Sequence, residues 1–243
     1  MIRSALIVTT GIAMTGFFSV FVVILALMRA SENSIHKIAR IWAALLLKLS
    51  RVQVETIGLE NILLGKPQIF MSNHQSDFDI FIVLAYIPIQ FRWIAKKELF
   101  RIPAFGRAMR NAGYIEMDRQ NHSRALKSLD IAAQKIRDGK SVMSFPEGTR
   151  SQDGRIKAFK QGMFHLALQA GVPIVPISII GASEIMPKRS MVVNPGKITM
   201  VIGKPFDVTP YTAETRHELI ADVRRVIVEN FNAWQRPGAP LAE

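Results

Sequence analysis

The segment Asn73-His74-Gln75-Ser76-Asp77-Phe78-Asp79 sets an imidazole five residues before a carboxylate. On an ideal helix, residues five apart diverge by about 140°. His74 and Asp79 can meet only if His74 lies just before a helix and Asp79 lies in its first turn. Ser76 or Asp77 as N-cap allows that geometry. An imidazole oriented by a carboxylate is a general base able to deprotonate an alcohol. The same residues in the same places also make a simple helix cap, and their types alone do not separate the two. His74, Asp77 and Asp79 could also ligate Mg²⁺ or Zn²⁺, but His36, His122, His165 and His217 are scattered and no second His–carboxylate cluster stands out. We expect no metal and no cofactor. The chain has no cysteine and no Gly-x-Ser-x-Gly elbow, so it offers no evident nucleophile of its own. The alcohol would then belong to a substrate.

A second constellation is Phe145-Pro146-Glu147-Gly148-Thr149-Arg150-Ser151. Glycine permits close backbone approach, and Thr149 and Arg150 are partners for an oxyanion. The arginine fork matches phosphate. A third, Gly113-Tyr114-Ile115-Glu116-Met117-Asp118-Arg119, delivers another basic residue, with Lys96, Lys97, Arg101, Arg107 and Arg110 nearby in sequence. Any one of these cations alone reads better as a solvated surface charge. Their delivery at successive strand ends raises the functional reading.

Those ends belong to elements that the hydrophobic pattern outlines. Short apolar, β-branched runs at Val52–Ile57, Gln68–Met71, Phe91–Ile94, Gly113–Ile115, Ser141–Phe145, Val172–Ile180 and Lys197–Ile202 read as strands. Between them, helical spacing appears at Ser123–Asp138, with Ser123 as candidate N-cap and Gly139 as stop, at Lys160–Ala170, and from about Ala213 to Trp234. Strands alternating with helices predict an α/β fold: a mixed, mostly parallel sheet covered by helices. Functional groups of such folds gather at strand C-terminal ends.

The N-terminus is different. From Ser4 to Met28 no residue is charged, and Arg3 and Arg29 bracket the run. About 20 apolar residues suffice to cross a bilayer core as a helix. A signal peptide should have a shorter apolar core, of about 7–15 residues, and a small-residue cleavage site; here Met28-Arg29-Ala30-Ser31-Glu32 follows. Gly11 and Gly16 interrupt the run, so a kinked or re-entrant hairpin competes with a spanning helix. Ile35 to Leu49 is amphipathic, and Trp42 fits an interface depth. The same segment also reads as an ordinary core-packing helix. If the first segment spans, Arg29, Lys37, Arg40, Lys48 and Arg51 put its C-terminal side in the cytoplasm. The expected organisation is an N-terminal membrane-anchoring helical segment, residues 1–50, then a catalytic domain, 51–243.

Composition agrees. Of the 243 residues 49% are hydrophobic, which excludes a disordered chain. The formal charge is +12 with pI about 10.3, yet mean hydropathy is +0.19. A basic chain that is hydrophobic on balance suggests an anionic membrane surface or a phosphate-bearing lipid. A nucleic-acid binder needs a basic stripe with exposed aromatics. Here three Tyr and three Trp accompany cations spread along the chain, and no nucleic-acid partner is expected.

Together the motifs carry a resemblance. NHQSDFD, residues 73–79, looks like the NHx₄D motif of the glycerolipid acyltransferases. FPEGTRS (145–151) is the same as that family's third motif, GYIEMDR (113–119) resembles the second, and VPIVPI (172–177) the proline-containing fourth. The four stand in the family's order over roughly residues 70–180. Size and N-terminal segment are similar to bacterial 1-acylglycerol-3-phosphate acyltransferases. One departure is that Glu116 and Met117 stand where many members have larger apolar residues. The resemblance implies direct acyl transfer from acyl-CoA or acyl-carrier protein to the sn-2 hydroxyl of lysophosphatidic acid, giving phosphatidic acid. It implies His74 as base and Asp79 as its orienting carboxylate. It assigns Arg119 and Arg150, with Lys96, to the acceptor phosphate, and Glu147, Gly148 and Thr149 to shaping that glycerol-phosphate site. Pro173 and Pro176 would line or support the acyl side. It implies an enzyme on the cytoplasmic face of a bacterial inner membrane, in contact with anionic lipids. Two alternatives stay open: another acceptor, such as glycerol 3-phosphate, another lysophospholipid or a lyso-aminolipid, and a non-catalytic protein that binds anionic lipid.

Overall fold

The computed structural model of the chain describes residues 1–118 and 120–235. Among these the elements are α1 (Ile2–Leu27), α2 (Glu32–Leu49), β1 (Val52–Ile57), β2 (Ile69–Ser72), α3 (Phe78–Tyr86), β3 (Phe91–Lys96), α4 (Phe105–Asn111), β4 (Ile115–Met117), α5 (His122–Arg137), β5 (Ser141–Ser144), α6 (Gly162–Ala170), β6 (Ile174–Ile180), α7 (Ala182–Ile185), β7 (Gly196–Ile202) and α8 (Arg216–Ala233). The strands form one sheet in the order β1-β7-β6-β2-β5-β3-β4. Every neighbouring pair is parallel except β6 with β7. The expected mixed, mostly parallel α/β sheet is what forms.

The central strands β2, β5 and β6 carry no charged residue and are buried along their whole length. Parallel strands need helices on both faces, so both faces must be apolar. In β2, Ile69 and Met71 enter one layer, with Leu129 of α5, Phe164 of α6 and Val223 of α8. Phe70 enters the other, with Leu47 of α2 and Ile82 of α3. The layers are therefore α/β/α.

Several expectations need correction. The strand expected at Gly113–Ile115 begins at Ile115. Gly113 has φ 73° in the turn after α4, and a β-carbon there would lie 2.3 Å from the Glu32 carboxylate. The cap of α5 is Asn121, whose side chain accepts from the Arg124 N–H, rather than Ser123. Gly11 and Gly16 do not break α1, which is one continuous helix of 26 residues.

The division at residue 50 is not a boundary in the packing. Ala43 and Leu47 of α2 share an apolar layer with Phe70 and Met143. At the start of α2, the fully buried Arg92 guanidinium donates to Glu32 Oε2 (3.3 Å) and Asn33 Oδ1 (2.5 Å). Buried His36 meets the Tyr114 hydroxyl at 3.1 Å. Burial, assisted by Arg92 and Arg40, pushes the His36 pKa down to about 3, so this imidazole is neutral. Arg40 donates to the carbonyls of Leu84, Ala85 and Pro88 around the C-terminal end of α3, where a cation complements the helix dipole. Of the cations that follow the first apolar segment, this one is spent on protein carbonyls.

α1 is docked near both ends. Arg3 donates to the carbonyls of Ser50 and Val193, and Ser4 Oγ exchanges hydrogen bonds with the Val193 backbone. Val22 and Ala26 pack with Ala108 and Ala112 at the other end. The helix therefore lies along the body of the protein. Its outer side exposes Leu6, Ile12, Phe17, Val20, Ile24 and Leu27.

Candidate active site

The ends of β2 and β5, adjacent in the sheet, bring the first two motifs together. β2 runs into Asn73, whose side chain is held by the backbone of Ile179 in both directions: Nδ2 donates to the Ile179 carbonyl (2.9 Å) and Oδ1 accepts from its N–H (2.8 Å). His74 follows in the loop before α3. The α3 N-cap is Asp77, and Asp79 lies in the first turn, the condition the five-residue spacing requires. His74 Nδ1 is 2.8 Å from Asp79 Oδ2, and the carboxylate is fully buried. The same oxygen accepts the N–H groups of Gln75 (2.7 Å) and Ser76 (2.9 Å). Asp79 is thus both the cap of the turn and the orienter of the ring. An Nδ1–H donated to Asp79 leaves Nε2 as the basic nitrogen.

Three further contacts hold His74, and the sequence did not single them out. Phe145 stacks on the imidazole, with ring centroids 3.9 Å apart and planes 8° from parallel. The backbone N–H of His74 donates to Glu147 Oε1 at 2.7 Å, and its carbonyl accepts from Ser151 N–H at 2.8 Å. Glu147 is buried, and Oε2 accepts from Lys157 N–H at 3.0 Å. Burial raises its pKa to about 7, although its two backbone hydrogen bonds oppose that rise. The signal for Phe145 was its place as the first residue of FPEGTRS at the strand end, which does not say that its ring meets His74.

His74 lines an apolar groove of about 560 Å³ between the sheet and α1–α2. Its polar lining includes Asp77, Lys96, Thr149 and Arg150, and its apolar walls include Phe18, Trp42, Trp93 and Phe105. Trp42, expected at an interface, instead turns inward and donates from Nε1 to Thr15 Oγ1 of α1 at 3.2 Å. A second apolar groove of about 470 Å³ lies on the same helix and shares Thr15, Ser19, Asp77, Phe81 and Phe105 with the first.

The expected phosphate and glycerol residues divide. Arg150, Lys96, Thr149 and Gly148 line the groove with His74. Gly148 has φ 73°, a conformation that favours glycine, and a β-carbon would crowd the Lys160 side chain at 2.9 Å. Arg150 Nη1 is ion-paired with Asp77 Oδ2, and both side chains are partly exposed. Lys96 is half exposed and 3.5 Å from Glu98. Glu147 is not among the lining residues, because its carboxylate is consumed by backbone amides. Arg119 lies outside the described residues.

Neither Pro173 nor Pro176 lines the groove. The Pro173 carbonyl accepts from Ile69 N–H (3.0 Å), and the Pro176 carbonyl from Gly203 N–H (2.8 Å). They support the centre of the sheet instead.

Comparison with known proteins matches this arrangement. The family described as Acyltransferase covers residues 53–180, more than half of the chain. The chain is 34% identical to a chloroplastic 1-acyl-sn-glycerol-3-phosphate acyltransferase of Brassica napus over 81% of its length, although it spans only 56% of that longer protein. It is 32% identical to a 1-acyl-sn-glycerol-3-phosphate acyltransferase of Limnanthes alba, over 96% of this chain and 82% of that one. The crystal structure of the 1-acyl-sn-glycerophosphate (LPA) acyltransferase PlsC from Thermotoga maritima superposes with a TM-score of 0.80 at 27% identity, covering 94% of this chain and 93% of that one. With the motifs meeting at the ends of β2 and β5 and the matched segment running from β1 through β6, this chain belongs to the acyltransferase family.

Proposed function

We propose that the protein transfers a fatty acyl group from an acyl thioester, carried by CoA or an acyl-carrier protein, to the sn-2 hydroxyl of lysophosphatidic acid. The product is phosphatidic acid. The observation that carries this reading is the His74–Asp79 pair set in an apolar groove that also presents Arg150.

His74 Nε2 takes the hydroxyl proton as the oxygen attacks the thioester carbonyl. A tetrahedral oxyanion forms and collapses. The C–S bond breaks, and the leaving sulfur receives the proton from the imidazolium. Ester and free thiol result, with no acyl-enzyme, which agrees with the lack of a cysteine. No cofactor enters any step. The Thr149 N–H, on the groove-lining loop, donates to no described residue, and is our choice for the oxyanion donor. Arg150 and Lys96 take the acceptor phosphate, and Arg119 remains a candidate for it. The two apolar grooves suit a reaction in which both substrates carry acyl chains.

The protein works at a membrane surface, with α1 lying in the interface beside anionic lipid. Docking of α1 near both ends favours lying over crossing. Its row of exposed apolar side chains is long enough to need lipid cover. A bacterial inner membrane, with the catalytic body on its cytoplasmic side, remains our reading.

The test is an acceptor panel. Purified protein is given labelled acyl-CoA with lysophosphatidate, glycerol 3-phosphate, other lysophospholipids or a lyso-aminolipid. Label should appear in phosphatidate, with thiol released in equal amount. Transfer to a different acceptor overturns the substrate assignment, and binding without thiol release overturns the enzyme.

A further inference from the structure

Beside the groove stands a cluster of cations that the acyl-transfer chemistry above does not use. The ammonium groups of Lys188 and Lys157 both donate to one acceptor, the backbone carbonyl of Arg150, at 2.7 and 3.0 Å. Arg189 follows on the same β-turn, closed by Ser190 N–H to the Pro187 carbonyl at 3.0 Å. Among the described residues none of these three cations has a carboxylate within ion-pair distance. Two like charges therefore share a single neutral oxygen. Consistent with that crowding, burial together with Lys157, Arg189 and Arg150 lowers the proton affinity of Lys188. Arg189 is exposed and holds φ 67°, a backbone conformation that costs a non-glycine residue energy. An uncompensated cluster of this kind is built to receive an anion.

Its position separates it from the acceptor site. Arg150 and Lys96 line the groove, whereas Lys157, Lys188 and Arg189 do not. Lys157 and Lys188 meet the Arg150 backbone carbonyl instead. They are nevertheless close to the chemistry, since the next residue, Ser151, donates its N–H to the His74 carbonyl at 2.8 Å. The proposed reaction brings together two substrates that both carry phosphate. Like charges meeting at one base need separate sets of cations. We infer that Lys157, Lys188 and Arg189 form a second anion site, which binds a phosphate of the acyl donor. CoA and the prosthetic group of carrier proteins both bear such a phosphate on the pantetheine arm. This inference rests on the acyl-transfer reading.

The experiment uses the full chain in detergent micelles. CoA binding is measured by calorimetry without turnover, and KM is then determined separately for acyl-CoA, acyl-carrier protein and lysophosphatidate. The double variant Lys188→Gln/Arg189→Glu should weaken CoA binding about tenfold or more, as expected for losing charge-assisted hydrogen bonds. KM for acyl-CoA should rise in step, while kcat and KM for lysophosphatidate stay within about twofold of wild type. An equal rise with carrier protein assigns the site to the pantetheine phosphate, and a rise with CoA alone assigns it to the nucleotide end. Arg189→Gly guards against misfolding: it relieves the backbone and removes the charge, so Tm should hold while CoA binding weakens. Unchanged CoA affinity in both variants overturns the proposal, as does a rise confined to the lysophosphatidate KM. If no acceptor is acylated but CoA still binds and the variants weaken it, the anion site stands and the reaction assignment falls.

Discussion

His74 and Arg150 line one groove, yet the protein holds them in opposite ways. The His74 ring is fixed by the buried Asp79 carboxylate and by the Phe145 face, and its backbone by Glu147 and Ser151. Arg150 is partly exposed, and its guanidinium is paired with Asp77, a carboxylate that is itself 41% exposed. A base must be aligned before substrate arrives, because misalignment raises the barrier directly. A phosphate ligand must instead exchange one partner for another. On the proposed function, an incoming phosphate would displace Asp77 from Arg150. Substitutions on the fixed side should therefore appear in kcat, and those on the exchangeable side in KM.

The largest break in this comparison is His74→Ala. Thiol release should fall by about four orders of magnitude or to background, because a positioned base alone contributes up to about 10⁴-fold; substantial residual turnover removes His74 as the base. Asp79→Asn comes next. It keeps an oxygen near the Gln75 and Ser76 amides but disturbs the tautomer of His74. A loss in kcat of about two to four orders is expected, by analogy with hydrolase triads. A mild effect reduces Asp79 to a cap.

On the other side, Arg150→Ala should raise KM for lysophosphatidate by about ten- to a hundredfold, the worth of a charge-assisted contact, with kcat little changed. An effect on acyl-donor kinetics alone contradicts the placement. Glu147→Gln sharpens the comparison through stability. The native Glu147 pKa is about 7 against an ordinary 4.5, so the folded state keeps this proton longer than the unfolded chain. Its contribution makes wild-type stability fall as pH rises from 4.5 to 7 and level off above. The variant should lack that fall in denaturant titrations run across the range. Parallel curves for both proteins exclude the linkage. The smallest effect is expected from Asp77→Asn. Freeing Arg150 should lower KM for lysophosphatidate by about two- to fivefold, since an exposed ion pair is worth little. A rise in KM gives Asp77 a direct role in holding substrate.

Much of this was legible in the residues. His74 and Asp79 had to meet across a helix start because no other geometry joins positions five apart. The central strands were readable because parallel strands covered on both faces must be continuously apolar. Less visible were α3, whose apolar residues are so frequent that helical period is lost, and α4, whose seven residues are too few to show one. Whether Pro173 and Pro176 line the groove was not legible, because a motif in sequence does not say which of its side chains meet a groove. Trp42 misled for the same reason: an amphipathic helix shows which face is apolar, not whether lipid or protein covers it.

The sequence by itself determined the meeting of His74 with Asp79, the lack of a cysteine nucleophile, the sheet and the apolar N-terminal run. All of these follow from residue type and local spacing. Only the tertiary structure decided that α1 lies against the domain instead of standing apart from it. The same is true of the Phe145 stack on His74, the use of Glu147 by backbone amides, and the gathering of Lys157 and Lys188 on one carbonyl. Those depend on contacts between segments far apart in the chain. Their geometry is set by how the layers pack, which no local pattern encodes.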